Sequence, residues 1–432
     1  MSTREEPNPT HEHADEARRS ESAPDAPAPD GTGASDDRSD ATPHSLEHAS
    51  QIAQAQRDAL MAHLPGSGTG LRLSASVGLI ASSAERPGAP KQARETYGVE
   101  ELAIVLSHYD LGPIDAILEF RRGSRRSPKL LIKSAQGTFL LKRRAPGRDD
   151  PERVRLSHEV QRFLAERQFP LPRLIHTEDT DKTALRFAGR TYELFEFIPG
   201  TKYDASLPAT MEAGRTLALF HKLLAEHEAP REAPAHASSY HGAQSIPEQL
   251  DHIGARSEDA ALRATCATLR EAYQHAAAQA DKAGLPSWPR QIVHGDWHPG
   301  NTLYRGPKVI AVIDFDSARH EARAMDVANG ALQYSITMNG SELESWPDYL
   351  DESRFKRFCR GYDAVEGCVI STAELRAVPW LMIEALIVEA VVPIAATGAF
   401  AGLEGGAFLR MVERKAGWMR SHASELYDLV TE

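Results

Sequence analysis

The sequence predicts an α+β fold, and three observations carry the prediction. Short apolar, β-branched or alternating runs gather at residues 116–121, 129–134, 138–143 and 191–197, separated by turn formers. From residue 210 onward apolar residues recur at helical spacing instead. Two polar motifs, His294-Gly295-Asp296-Trp297-His298-Pro299-Gly300-Asn301 and Asp314-Phe315-Asp316, each follow a brief strand-like run, 291–293 and 309–313.

The elements follow in order. Residues 1 to about 45 hold almost no large apolar side chains and are dense in Pro, Ala, Ser, Asp and Glu, so they cannot bury enough surface to offset their ordering entropy and read as disordered. Residues 46–64 could form one marginal helix, and Gly88-Ala89-Pro90 marks a linker, which makes 1–96 a tail. A helical run at 99–106 leads into the strands at 116–121 and 129–134, with the basic loop Arg121-Arg122-Gly123-Ser124-Arg125-Arg126 between them. The strand 138–143 follows a turn at Ala135-Gln136-Gly137. Asp150-Pro151 starts a helix, with a capping acceptor and then Pro in the first turn, and Leu156, Val160, Phe163 and Leu164 form its apolar face. The strand from Thr191 ends at the breaker Pro199-Gly200, helix 210–226 follows, and Ala-rich helical segments occupy 247–252 and 259–280. Residues 380–400 are very apolar, but Glu384, Glu389 and Pro393 interrupt them, so a buried helix or helix pair is favoured over a membrane span.

Charge and cysteine content narrow the function. Twelve acidic and four basic side chains in residues 1–50 account for −8 of the net −12, and no basic stripe points to nucleic acid. Cys266, Cys359 and Cys368 lack metal-ligand spacing and read as reduced thiols of a cytoplasmic protein. No basic start followed by a continuous apolar run marks a secretory signal.

The two polar motifs carry the chemistry. Phosphoryl transfer to a hydroxyl needs an acceptor for the proton and hard oxygen ligands for Mg²⁺. Asp296 is placed to be the first, and Asn301 with Asp314 to be the second. The bland reading, a polar turn with Asn301 capping its own loop, does not account for both motifs in this order.

The pattern His-Gly-Asp-x-His-x-x-Asn followed by Ile-Asp-Phe-Asp resembles the aminoglycoside phosphotransferase and choline kinase superfamily, including the type II homoserine kinases. Ordinary protein kinases fit less well, because Asp316 stands where their motif has Gly and Gly295 where they usually have Arg. The resemblance covers roughly residues 97–425 and implies a protein-kinase-like bilobal fold: a small antiparallel β N-lobe at 97–200, then a larger helical C-lobe at 201–432, with ATP between them.

It also implies roles. Lys142, ahead of Arg143 or Lys133, would hold the nucleotide phosphates, and Glu159, bordering the apolar face of its helix, would pair with Lys142. Backbone groups of Gly123 and Ser124 could reach phosphate oxygens, although a solvated basic hairpin fits that loop equally well. Backbone groups around Glu196 to Ile198 would meet the adenine edge. His221 reads as a core-packing histidine, His294 and His298 as braces of the loop, and Asp326 as a structural anchor, whereas spacing assigns no role to Trp297 or Asp316. The implied reaction moves the γ-phosphoryl group of Mg-ATP to a hydroxyl of a small molecule such as homoserine, an aminoglycoside or choline. A nucleotide-binding pseudokinase and a Ser/Thr protein kinase are the alternatives; the intact Asp296, Asn301 and Asp314 argue against the first and the missing Ala-Pro-Glu segment against the second.

Overall fold

In the computed structural model the chain is described at residues 94–121, 125–227, 239–339 and 342–431. The acidic tail, the expected helix at 46–64, and Gly123 and Ser124 lie outside the described residues.

The first lobe is built on one sheet. Helix α1 (Val99–Leu106) precedes β1 (Ile114–Glu119), β2 (Lys129–Ser134) and β3 (Gly137–Arg143). After α2 (Pro151–Glu166) come β4 (Leu174–Ile175), β5 (Leu185–Phe187) and β6 (Arg190–Glu196). The antiparallel order is β1-β2-β3-β6-β4, with β5 also on β6. Alternation along β3 sends Phe139 and Leu141 into a small core with Ile132, Tyr192 and Leu194. The α2 start matches its sequence signal: the Asp150 side chain accepts from the Arg153 N–H at 3.1 Å, and Pro151 fills the first turn.

The chain crosses at residues 197–200 into the second lobe. Helix α3 (Leu207–Leu224) starts three residues earlier than its apolar spacing suggests, because Ser206 caps it and Pro208 is tolerated in the first turn. Then come α4 (Ser245–Ala255), α5 (Ala260–Ala283), β7 (Arg290–Val293), β8 (Thr302–Arg305), β9 (Lys308–Val312), β10 (Arg319–Ala322) and α6 (Arg323–Ser335). Helices α7 (Glu352–Asp363), α8 (Thr372–Thr397), α9 (Gly405–Ser421) and α10 (Ala423–Thr431) complete the lobe. The apolar stretch is one helix, α8, closed by a Ser371/Glu374 capping box at its start. It is long and apolar enough to cross a membrane, yet 78% of its most apolar window is buried within the fold.

Helices α3 and α7 approach to backbone contact. A Cβ on Gly214 would sit 2.0 Å from the Phe358 carbonyl oxygen, and one on Gly361 would sit 2.0 Å from that of Met211. This spacing lets His221 of α3 reach Tyr362 of α7, with Nδ1 2.8 Å from the hydroxyl. The three cysteines are buried free thiols.

Candidate active site

Pairing between short strands assembles the site. The β8–β9 hairpin pairs Thr302 with Val312, which sets Asn301 beside Ile313; the Ile313 N–H donates to the Asn301 carbonyl at 2.9 Å. Asn301 and Asp314 therefore stand at the open end of one hairpin. Strand β10 pairs with β7, Arg319 opposite Val293, and brings the chain after Asp316 back against the loop that follows β7. Gly295 has a positive φ of 75°, and a Cβ there would lie 2.2 Å from Arg319 Nη1 and 2.4 Å from the Ser317 carbonyl oxygen. Crowding by β10 accounts for Gly where an Arg would stand in protein kinases.

Asp326, at the start of α6, holds the loop by its backbone. Its carboxylate accepts from the His294 N–H at 2.6 Å and the Gly295 N–H at 2.8 Å, and His221 Nε2 lies 3.2 Å away. Burial alone would raise this carboxyl, but His221, His294 and the Gly295 N–H outweigh it and hold it below the ordinary carboxylate range. The expected anchor is thus in place, and His221 is the core histidine that supports it.

Within the loop, Asn301 Nδ2 donates to the Asp296 carbonyl and to its Oδ2, both at 3.0 Å. The amide nitrogen is spent on Asp296, which leaves the amide oxygen to face a cation. His298 Nδ1 accepts from the Gly300 N–H at 2.9 Å, which leaves Nε2 as the ring nitrogen that carries a proton, 3.6 Å from Asp296 Oδ1. Burial would raise the Asp296 carboxyl; His298, His294 and Asn301 together lower it, so it stays ionised. His294 is buried, and burial lowers its imidazole below the ordinary range; its Nε2 donates to the Ile313 carbonyl at 3.3 Å.

Asp314 adopts left-handed backbone angles, φ 65° and ψ 65°, and its side chain is 41% exposed toward Lys142, whose Nζ lies 3.7 Å away. Lys142 and Arg143 lie on opposite faces of β3, as alternation requires: Arg143 pairs with Glu95 and Glu101. Lys142 is the strand's cation on the side of the Asp-Phe-Asp loop.

The expected Lys142–Glu159 pair does not form. Glu159 faces outward on α2, 3.2 Å from Arg155 and 3.7 Å from His227. Lys142 instead contacts Asp316 at 2.9 Å, Asp314 at 3.7 Å and Glu193 at 3.8 Å. Glu193 lies directly opposite Lys142 in the β3–β6 register, fully buried, and is bound by Arg144 at 2.6 Å and His158 at 2.6 Å. Arg144 also reaches Asp316 at 2.9 Å. Helix α2 thus approaches the lysine through His158, the residue before Glu159, with a strand carboxylate between them. Lys142 and Arg144 pull both Asp316 and Glu193 down against the opposing effect of burial. Spacing had assigned nothing to Asp316, Glu193 or Arg144, because their meeting depends on cross-strand register.

At the crossing between lobes, the Glu196 N–H donates to Arg173 and the Phe197 N–H to Thr138, both at 2.9 Å. Glu196 also pairs its side chain with Arg173. The Ile198 N–H has no backbone acceptor among the described residues.

One carboxylate lies beyond the loop. Along α6, Asp326, Asn329 and Gln333 share a face under the loop; Asn329 donates to the Trp297 carbonyl at 3.4 Å, and Gln333 Nε2 donates to both Glu389 oxygens at 2.7 Å. Burial, and beyond it the Asp296 charge, push the Glu389 carboxyl well above its ordinary value despite Gln333.

A two-lobed fold with an acidic loop facing a strand lysine defines a phosphotransferase of protein-kinase-like architecture. The chain belongs to the phosphotransferase enzyme family (APH), whose sequence profile matches residues 117–368. Homoserine kinase of Gluconobacter oxydans is 28% identical over 294 residues, covering 65% of this chain and 83% of that protein. Homoserine kinase of Acidiphilium cryptum is 27% identical over 291 residues, covering 65% and 81%. Among solved structures, a microcompartment-associated aminopropanol kinase aligns with a TM-score of 0.57 at 15% identity, covering 76% of this chain and 98% of that one. An aminoglycoside phosphotransferase from Alicyclobacillus acidocaldarius aligns with a TM-score of 0.55 at 18% identity, covering 79% and 99%. The protein is a phosphotransferase.

Proposed function

We propose that this enzyme transfers the γ-phosphoryl group of ATP, with Mg²⁺, to the hydroxyl of a small amino alcohol, homoserine being the first candidate. The observation that carries the reading is Asp296 and Asn301 joined at 3.0 Å in the loop, with Asp314 turned across the cleft to Lys142 at 3.7 Å. Asp296 orients the acceptor hydroxyl and takes its proton at a carboxylate oxygen. Asn301 and Asp314 offer hard oxygens that suit Mg²⁺, and among the described residues no cluster of three or more His, Cys, Asp or Glu forms a closed metal cage. That fits an ion shared with nucleotide phosphates. Bound Mg-ATP supplies the phosphoryl group and neutralises its developing charge. Lys142 holds the phosphates, and the Ile198 N–H is available to the adenine edge.

The acceptor's amine is assigned to Glu389. A buried carboxylate near the base, with an amide as its donor among the described residues, costs free energy that an ammonium group would recover. The relatives named above as homoserine kinases act on an amino alcohol, in keeping with that pairing. Glu389→Gln is expected to raise the acceptor KM by about 10-fold or more, the worth of a charge-assisted hydrogen bond, with the ATP KM little changed. The same variant gains stability at neutral pH. A carboxyl whose folded pKa is raised contributes stability below its unfolded pKa and loses it as pH climbs through the folded value, and Gln has no such loss. Steady-state kinetics and denaturant unfolding of one preparation read both.

Glu159→Ala is expected to keep activity within about twofold, since only exposed or weak pairs are lost. A large loss in kcat would restore the helix glutamate to the nucleotide site. The reading as a whole is tested by an ATP-consumption screen across amino alcohols, aminosugars and sugars. Turnover confined to acceptors without an amine would refute the amino-alcohol assignment.

A further inference from the structure

We propose that Asp316 is a positioning residue for Lys142: it holds the ammonium group as the alternative partner to a nucleotide phosphate, and yields it when phosphate binds. The inference rests on the ATP reading above and goes beyond it by giving a task to the second aspartate of the Asp-Phe-Asp turn. Both oxygens of Asp316 are taken by cations at the end of β3. Oδ2 lies 2.9 Å from Lys142 Nζ, and Oδ1 lies 2.9 Å from Arg144 Nη2. The side chains of Lys142 and Asp316 are only 11% and 10% exposed. Asp314, the outer aspartate of the same turn, stands farther from the ammonium, at 3.7 Å. The pair also joins elements that pack into different cores. Leu141, beside Lys142, belongs to the sheet cluster with Phe139 and Leu194, whereas Phe315, beside Asp316, belongs to the larger cluster that also takes Leu156, Val160 and Leu164 of α2. Ion pairs, not apolar packing, therefore set the distance between Lys142 and the turn.

A phosphate within hydrogen-bond reach of Lys142 brings like charge against Asp316 where water is largely excluded, and such charges repel strongly. The neighbouring groups let the ammonium change partners without leaving a charge alone. Asp316 keeps Arg144. Lys142 gains Glu193, whose Oε1 is bound by Arg144 and by His158, each at 2.6 Å. The other oxygen, Oε2, is buried, has no hydrogen-bond partner among the described residues, and lies 3.8 Å from Lys142 Nζ. A buried acceptor left without a donor costs free energy that a donor recovers. Moving the ammonium by about 1 Å toward Glu193 closes that gap to a charge-assisted hydrogen bond of about 2.8 Å. Nucleotide binding then works against the Lys142–Asp316 pair, so removing the Asp316 charge strengthens phosphate binding. A residue that merely supports the fold, or one that ligates the metal, gives the opposite sign.

The test is calorimetric titration of wild type, Asp316→Asn, Lys142→Met and the double variant with Mg-ATP, with ADP free of metal, and with adenosine. Asp316→Ser takes the place of Asp316→Asn if thermal denaturation shows that the Asn variant does not fold. Asp316→Asn is expected to tighten both Mg-ATP and ADP by about 10-fold, the effect of removing one competing charge-assisted contact, and to leave adenosine unchanged. In the Lys142→Met background the same substitution is expected to give no such gain, because Asp316 acts through Lys142. Mg-ATP binding by Asp316→Asn that is equal to or weaker than wild type overturns the proposal; a loss confined to Mg-ATP, with ADP unaffected, makes Asp316 a metal ligand instead. A gain that persists with Lys142→Met overturns it too, since it then reports net charge alone. Absence of Mg-ATP binding by the wild type overturns the nucleotide reading itself, and this inference with it.

Discussion

Asp296→Asn is expected to lower turnover by about 10²–10⁴-fold while leaving Mg-ATP binding measurable. The amide keeps nearly the volume of the carboxylate, so the loop need not rearrange. It lacks the charge that receives the proton, and its NH₂ group sits poorly against Asn301 Nδ2, which now donates to Asp296 Oδ2 at 3.0 Å. Nucleotide affinity should persist because the contacts assigned to phosphates and metal belong to Lys142, Asn301 and Asp314. The measurement is single-turnover phosphoryl transfer beside calorimetric ATP titration, with this variant as the blank of the acceptor screen. Turnover comparable to wild type would remove Asp296 as the base.

The second large effect is on stability. Asp326→Ala leaves the His294 and Gly295 N–H groups without their acceptor and His221 without its carboxylate, all in a buried setting. Breaking a buried charged network by removing one partner costs about 3–5 kcal/mol, and denaturant unfolding reads it directly. The pH dependence has a definite sign. Because the folded Asp326 carboxyl lies below its unfolded value, its contribution is present above that unfolded value, about 3.9 in model peptides, and is lost as pH falls through the folded one. The difference between wild type and variant should therefore be constant near neutrality and shrink only in acid. A difference that shrinks between pH 6 and 8 would overturn this account of Asp326.

Much of the fold could be read from local signals. The α2 start at Asp150-Pro151 and the β3 alternation that separates Lys142 from Arg143 each depend on neighbours in sequence, and both are found as expected. Strand β8 was not anticipated; Thr302 and Tyr304 alternate ahead of a Gly306-Pro307 turn, but four residues give little period to detect. That strand is what sets Asn301 beside Ile313. The Glu159 expectation failed for a related reason. Helical spacing shows which residues border a buried face, but not which strand residue that face meets. The meeting of His158, Glu193, Arg144 and Asp316 requires α2, β6, β3 and the turn after β9 together. Glu193 carried one local hint, a charge inside an otherwise apolar strand run, Thr191-Tyr192-Glu193-Leu194-Phe195.

The contact of α3 with α7 at Gly214 and Gly361 bears on how the enzyme tolerates change. Any side chain at either glycine wedges two helix backbones apart, and the displaced pair carries His221 and Tyr362, through which Asp326 is held. Damage there passes to the loop bearing Asp296 without touching a substrate. In a library of random variants, inactive clones would then map to two populations: one at the phosphate cleft, and one on the seam between two packed helices.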